Sequence, residues 1–443
     1  MTQDWHAYVS ELGSPPFPVE AHRAIDEVET TPVEGLDELL TAAGADFDAA
    51  RFLLSDGFLA RYVASLLSKR FVILTGLSGS GKTKLAQLFA LWLCGRDGPS
   101  RYEIVPVGPD WTSTDHVLGY ADAIDPTRYV KTQALQLILN ARDAGESVPH
   151  FLILDEMNLS HVERYFADVL SAIESAEEIT LHLDRDAGGA PVERDGVPPA
   201  LELPPNLFIV GTVNVDETTY GFSPKVLDRA NTLEFRVTGE DLAKFTEGVG
   251  PIDLEFLAGR GQRFGTAFAR VAQMKVDLSP DVRGKLVQEL LMLFDLLADE
   301  GREFGFRTMN EIERFVGLHG QIDGGGSDLQ TVFDAQLLQK ILPRLSGSRS
   351  RVERALVKLG VFCHHERVWQ QDGSQWTLEN RDQILGAVAK ASKMERSSHP
   401  LNARDDADTP VFDPADAHYS ATFAKVLRML RQVEEGFVNF AEA

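Results

Sequence analysis

Residues 76–83 read Gly-Leu-Ser-Gly-Ser-Gly-Lys-Thr, a full match to the phosphate-loop pattern G-x-x-x-x-G-K-[ST]. The pattern constrains the fold because it works only at a strand-to-helix turn. Ahead of it, Phe71-Val72-Ile73-Leu74 is a short apolar run that predicts a buried strand. Behind it, Leu85, Leu88, Phe89 and Trp92 recur at helical spacing. The glycines let backbone N–H groups turn inward, and the helix N-terminus adds its positive end. Gly76, Ser78, Gly79, Ser80 and Gly81 are therefore expected to cradle phosphate oxygens. Lys82 is expected to reach the β- and γ-phosphates, and the Thr83 hydroxyl to bind Mg²⁺. An incidental glycine-rich turn would need neither the strand nor the helix.

Three further stretches would complete such a site. Phe151-Leu152-Ile153-Leu154-Asp155-Glu156 is an apolar strand with two carboxylates at its carboxyl end, the edge where α/β sheets hold ligands. Asp155 is expected to hold Mg²⁺, directly or through water, and Glu156 to polarise the attacking water. An acidic turn after a strand is common on its own; following a phosphate loop in the same sheet, it reads as catalytic. Leu207 to Asn214 is a second apolar strand, ending in a polar amide. Asn214 can hydrogen-bond both the γ-phosphate and the lytic water, although Asn at a strand end is often a plain turn residue. Gly221 to Asn231 reads as a short helix leading into the strand Thr232–Val237. At its end, Arg229 would face a neighbouring subunit and act there as an arginine finger. The plain alternative is a surface pair with Asp228.

The 43 Lys and Arg against 67 Asp and Glu leave a net charge of −24. That balance disfavours nucleic-acid wrapping by the chain alone and leaves DNA contact to a channel within an assembly. Cys94 and Cys363 are too few for a disulfide framework or a cysteine-based zinc site. No basic-then-apolar leader is visible, and no apolar run approaches the ~20 residues needed to span a bilayer. A cytoplasmic protein without membrane segments is expected. Residues 1–52 read as a short acidic extension broken by Pro15, Pro16 and Pro18, and 53–237 as an α/β nucleotide-binding core. Residues 238–360 read as helical. Within them Ser279-Pro280 supplies an N-cap and first helical position to a helix carrying Val282, Leu286, Leu290, Leu291 and Phe294. Gly324 to Ser327 is a flexible break, and 361–443 is a C-terminal extension with a solvated acidic loop near Asp405.

Taken together, the phosphate loop, Asp155 to Ser160, Thr212 to Asn214 and Leu227 to Arg229 resemble the AAA+ proteins. Within them they resemble the McrB-like branch, the NTP-driven motors of modification-dependent restriction systems. Gly108 to Trp111, Leu118 to Tyr120 and Glu163 to Phe166 also match. Ile179 to Leu183, with the long segment before Pro204-Pro205-Asn206-Leu207, is similar to the hairpin inserted before sensor 1. Phe304 to Arg307 with Asn310 to Ile312 is similar to the branch's lid motif, and Gly436-Phe437 with Phe440 to its ending. The likeness is fullest over residues 53–360. It implies an α/β core with a five-stranded parallel sheet, a helical lid and a helical C-terminal extension. It also implies that Asp155 and Thr83 organise Mg²⁺, that Lys82 and Asn214 hold phosphate, and that Glu156 activates water. Arg229 would act on a neighbour's nucleotide, and Arg307, near a helix start, would be the sensor 2 arginine. A homo-oligomeric ring, expected to be a hexamer, and a separate McrC-like nuclease and activator subunit follow from the same resemblance.

The chain departs from McrB proper at two points. Its first ~55 residues are too few for a domain that recognises modified DNA. The Asn-Thr-Ala-Asp signature appears here as Asn214-Val215-Asp216-Glu217, which leaves ATP or GTP open as substrate. A MoxR-like ATPase that remodels protein complexes is the alternative, favoured by the acidic charge. A slow nucleotide-gated switch is disfavoured by the intact Glu156. Cys363-His364-His365-Glu366 is too tightly adjacent for all its ligands to face one metal ion. Trp111 is expected to pack locally rather than serve as a stacking platform.

Overall fold

Each apolar run that precedes a predicted site residue forms a strand of one sheet. In chain order the strands are β1 (Phe71–Gly76), β2 (Tyr102–Pro106), β3 (Tyr120–Ala121), β4 (Tyr129–Val130), β5 (His150–Asp155), β6 (Ile179–Thr180), β7 (Ala200–Leu201), β8 (Leu207–Asn214) and β9 (Asn231–Glu234). Five of them make a sheet in the order β2-β5-β8-β1-β9, with every neighbouring pair parallel. The other four form two small hairpins, β3 with β4 and β6 with β7. The second of these is the hairpin expected before β8. The structure, a computed structural model, describes residues 38–52, 57–96, 100–125, 127–215, 220–237, 252–323, 327–364, 369–372, 375–378 and 417–441, with Leu36, Leu54, Gly239 and Ala243 besides. The segment before Leu36, the three glycines of the expected break at 324–327 and the acidic loop near 405 lie outside them.

A parallel sheet must be covered on both faces, and the strands alternate accordingly. Val72, Leu74, Phe151, Ile153, Phe208 and Val210 enter one core. Phe71, Ile73, Leu152, Leu154, Leu207 and Ile209 enter the other. The helix Lys82–Cys94 covers the first face and places Phe89 against Phe151, their centroids 5.9 Å apart. The helix Gln133–Ala144 covers the second face with Leu135 and Ile138. The division expected at residue 52 falls within packed structure. The helix Leu39–Ala49 seats Phe47 edge-on to Trp92, and Asp46 accepts a 2.8 Å hydrogen bond from the Trp92 indole.

The C-terminal half is helical, as expected. Ser279 caps the helix Pro280–Ala298 by accepting from the Val282 N–H. The helix Phe306–Ile322 packs along Phe58–Lys69, joining this half to the sheet. The helix Leu329–Gln336 continues into a π-helical turn, Leu337–Ile341. The expected division at 360 falls inside the helix Arg349–Cys363, which packs on Ser420–Val433, with Phe362 stacked on Tyr419 at 5.5 Å. Two short pairings complete the region. β10 (Gly347–Ser348) pairs antiparallel with β13 (Phe437–Val438), and β11 (Trp369–Asp372) with β12 (Gln375–Leu378). Lid and extension thus pack as one body among the described residues.

Candidate active site

β1, β5 and β8 end at one edge of the sheet and deliver the phosphate loop, the carboxylate pair and the amide to one place. The register sets Gly76 beside Asn214 and Leu154 beside Gly211. Gly76 has no room for a side chain, since a Cβ there would come within 2.3 Å of the Phe235 carbonyl oxygen. Gly79 and Gly81 hold φ of 71° and 104°, where glycine avoids the Cβ penalty. The helix begins at Lys82, so its free N–H groups face the loop. Lys82 is buried. Its ammonium donates to the carbonyls of Gly76 at 2.8 Å and Leu77 at 2.6 Å, and lies 3.4 Å from the Ser80 hydroxyl. The loop is thereby folded around the group that phosphate oxygens would take over.

Asp155 and Thr83 meet directly: the Thr83 hydroxyl donates to Asp155 Oδ1 at 2.6 Å. Two oxygen ligands at ~2.1 Å from Mg²⁺ and at right angles lie about 3 Å apart. A hydroxyl and a carboxylate oxygen in contact therefore suit adjacent positions on that ion. Thr212 donates its hydroxyl to the same Oδ1 at 2.8 Å and accepts the Glu156 N–H at 3.1 Å. It ties the two carboxylate residues together. Its role was missed in the sequence; the available signal is its place two residues before Asn214, on the same strand face. Glu156 sits at φ +53°, ψ +48°, a left-handed conformation that costs a non-glycine residue about 1–2 kcal/mol. That turn aims its carboxylate at Asn214, whose Nδ2 donates to Oε1 at 3.1 Å. Asn214 also borders a cavity of 110 Å³ that Ser346 and Phe440 of the helical region help line. Thr212→Val keeps the shape and removes both hydrogen bonds. It is expected to lower kcat about 10–100-fold, as outer-shell substitutions do, with nucleotide affinity within about threefold; steady-state turnover and a binding titration check it.

Arg229 lies at the opposite edge. β9 runs parallel to β1 with Val72 opposite Asn231, so Arg229 stands level with the start of β1. The strand puts about 17 Å between that level and the phosphate loop. Its guanidinium donates to the carbonyls of Leu170 at 2.9 Å and Lys225 at 2.6 Å and pairs with Glu174. Asp228, its expected surface partner, pairs with Arg344 instead. Burial, then the neighbouring Arg307, draw the Arg229 pKa below its ordinary value. Arg307 opens the helix Phe306–Ile322, yet the structure does not bring it to the phosphate loop of its own chain. It donates to Glu174 Oε1 at 2.6 Å and to the Asp228 carbonyl at 3.1 Å, beside Arg229. A cavity of 620 Å³ opens there, lined by Lys69, Glu174, Arg229, Arg307 and Arg314 among others.

Of the remaining candidates, Trp111 packs locally, stacked on His116 at 5.3 Å and edge-on to Tyr165. His365 and Glu366 lie outside the described residues, as do Asp216 and Glu217 of the altered signature. Among the described residues no helix is long and apolar enough to cross a membrane.

A phosphate loop at a strand-to-helix turn, with a hydroxyl, two carboxylates and an amide gathered at one edge of a parallel sheet, defines a P-loop nucleoside triphosphatase. Residues 71–230 match the family described as the AAA domain, dynein-related subfamily, so the chain is a nucleoside triphosphatase built on an AAA domain. Residues 259–437 match a family described as a domain of unknown function, DUF8727. A comparison with curated proteins gives no match. A solved structure from Cytophaga hutchinsonii ATCC 33406, described as a "putative ATPase", is 11% identical and aligns over 70% of this chain and 87% of its own, with a TM-score of 0.49.

Proposed function

We propose that this AAA ATPase works as a homo-oligomeric ring, a hexamer, in which each active site is shared by two copies. We further propose that it is the McrB-like motor subunit of a DNA restriction or anti-phage defence complex. One observation carries the shared site. Thr83, Asp155, Glu156 and Asn214 gather at one edge of the sheet, and Arg229 with Arg307 at the other, so the two groups cannot serve one nucleotide within a chain. Copies arranged head to tail bring one chain's arginines to the next chain's phosphate loop, and such a contact makes a ring when its rotation closes. Thr83 and Asp155 would hold Mg²⁺, which neutralises phosphate charge when bound. Lys82 exchanges loop carbonyls for β- and γ-phosphate oxygens. Asn214 steadies the γ-phosphate and keeps Glu156 aimed at the attacking water. The neighbour's Arg229 meets the charge that develops on the transferring phosphoryl group.

The defence role rests on the McrB-like matches at 155–166 and 304–312. It brings with it a McrC-like nuclease subunit, DNA contact confined to the assembly, and a cytoplasmic setting. A MoxR-like remodelling ATPase is the second reading, favoured by the net charge of −24. Co-expression with the products of adjacent genes decides between them. A nuclease that co-purifies and stimulates turnover supports the first; a partner with a metal-ion-dependent adhesion domain, and no nuclease, replaces it with the second. ATP is expected to be accepted, because the altered segment at 214–217 departs from the GTP-preferring signature. Side-by-side turnover with both nucleotides checks this, and activity with GTP alone would reject it. Chelating Mg²⁺ is expected to abolish turnover with either.

A further inference from the structure

The peptide bond that leads into Arg229 is held by an uncommon set of donors. The Asp228 carbonyl accepts from Lys69 Nζ at 2.8 Å, from Lys340 Nζ at 3.1 Å and from Arg307 Nη2 at 3.1 Å. Lys340 also donates to the Ala230 carbonyl at 3.1 Å, gripping the Ala230–Asn231 peptide just beyond Arg229. The three cations come from three elements. Lys69 ends the helix Phe58–Lys69, Arg307 begins Phe306–Ile322, and Lys340 sits in the π-helical turn Leu337–Ile341. A carbonyl oxygen has two lone pairs, so three cationic donors on it crowd both the oxygen and one another.

One carboxylate makes the arrangement possible. Glu311, one turn beyond Arg307, pairs with Lys69 through Oε1 and lies 2.7 Å from Lys340 through Oε2. The Lys69 and Lys340 side chains are 9% and 2% exposed, so solvent screens their repulsion poorly. Burial pulls the Glu311 pKa up, but Lys340 and Lys69 outweigh it and hold the carboxyl below its ordinary value. Burial and the nearby Lys340 draw the Lys69 ammonium well down from its own.

We propose that Glu311, with Lys69 and Lys340, positions the arginine finger. The carboxylate keeps two buried ammoniums in place on the peptide carbonyls at Asp228 and Ala230, and those carbonyls set where the Arg229 guanidinium points. Because Glu311 and Lys340 belong to the helical region and Asp228 to the nucleotide core, any shift between them is felt at Arg229. Without the carboxylate, Lys69 either sheds its proton or is pushed away by Lys340; its grip on the Asp228 carbonyl loosens, the peptide turns, and the guanidinium misses the neighbour's γ-phosphate. A misplacement of about 1 Å can cost on the order of 10²-fold in rate. The inference rests on Arg229 acting on a neighbour's nucleotide.

Glu311→Gln in the full, assembled protein tests it. The variant is expected to lose about 10²-fold in kcat, with nucleotide Kd within about threefold, and to cost nothing further in an Arg229→Ala background. Its own nucleotide pocket stays intact, so mixing it with Lys82→Ala subunits should recover turnover, as mixing Arg229→Ala with Lys82→Ala should. Wild-type kcat in Glu311→Gln, beside a crippled Arg229→Ala, overturns the positioning role alone. So does an equal further loss in the Arg229→Ala background, or a failure to recover on mixing where Arg229→Ala recovers. Full activity of Arg229→Ala itself overturns the finger, and this inference with it. Should Glu311→Gln fail to fold, Lys340→Met, which removes the donations to both the Asp228 and Ala230 carbonyls and leaves Glu311 paired with Lys69, takes its place, and the same outcomes apply to it.

Discussion

Replacing Arg229 by alanine is expected to lower nucleotide turnover on the order of 10³-fold in the assembled protein, the scale of an arginine finger. Nucleotide affinity should survive, because Lys82, the loop amides and Thr83 belong to the other edge of the sheet. The expected loss is therefore in kcat, with little change in Kd. Mixing supplies the decisive check. Arg229→Ala subunits contribute an intact phosphate loop and Lys82→Ala subunits an intact finger, so interfaces pairing the first pocket with the second neighbour should turn over nucleotide again. The partner subunit should be present, since strong cooperativity in a ring mutes such rescue. Arg229→Ala with full activity in the assembled complex would falsify the shared site and leave Arg229 as the structural partner of Glu174.

Glu156→Gln should bind nucleotide and Mg²⁺ yet lose about 10²–10⁴-fold in turnover, the usual contribution of a positioned base. The substitution preserves shape, and the amide oxygen can still accept from Asn214, so the left-handed turn at this residue need not relax. What disappears is the negative charge that orients and polarises water. Lys82→Ala provides the contrast: it should abolish nucleotide binding itself, because its ammonium is the charge at the centre of the loop. Single-turnover hydrolysis alongside equilibrium binding separates the two. Hydrolysis by Glu156→Gln at the wild-type rate would remove Glu156 from the chemistry.

The parts of the site that were legible in the sequence are local. A phosphate loop announces itself in eight consecutive residues, and Asp155, Glu156 and Asn214 each close an apolar run whose strand character is plain. Even the sheet's two-sided burial could be anticipated, because β1, β5 and β8 carry unbroken apolar runs. Thr212 was within reach of the same reasoning, by counting back two residues along β8. Glu174, Glu311 and Lys340 were not. Arg307 and Glu174 are 133 residues apart, and a charged residue on a helix is ordinarily solvated, so nothing local marks it as half of a long-range ion pair. The packing of Arg349–Cys363 on Ser420–Val433 was hidden for the same reason. The pairing that closes it, Gly347 with Val438, involves two-residue strands too short to carry a periodic signal.

The single carboxylate of Glu174, between Arg229 and Arg307, has a consequence for how copies of this chain would come together. Both guanidiniums already hold an anion in the lone subunit, so an approaching γ-phosphate does not meet bare positive charge. It competes. The free energy of contact is then the difference between a phosphate and a carboxylate at the same two cations, smaller than either interaction alone. An incoming site that carries a triphosphate can win that exchange, and one reduced to a diphosphate has no terminal phosphoryl group to offer. Glu174 would thus act as a threshold on association, so that each boundary between copies tightens or loosens with the chemical state of the nucleotide beside it.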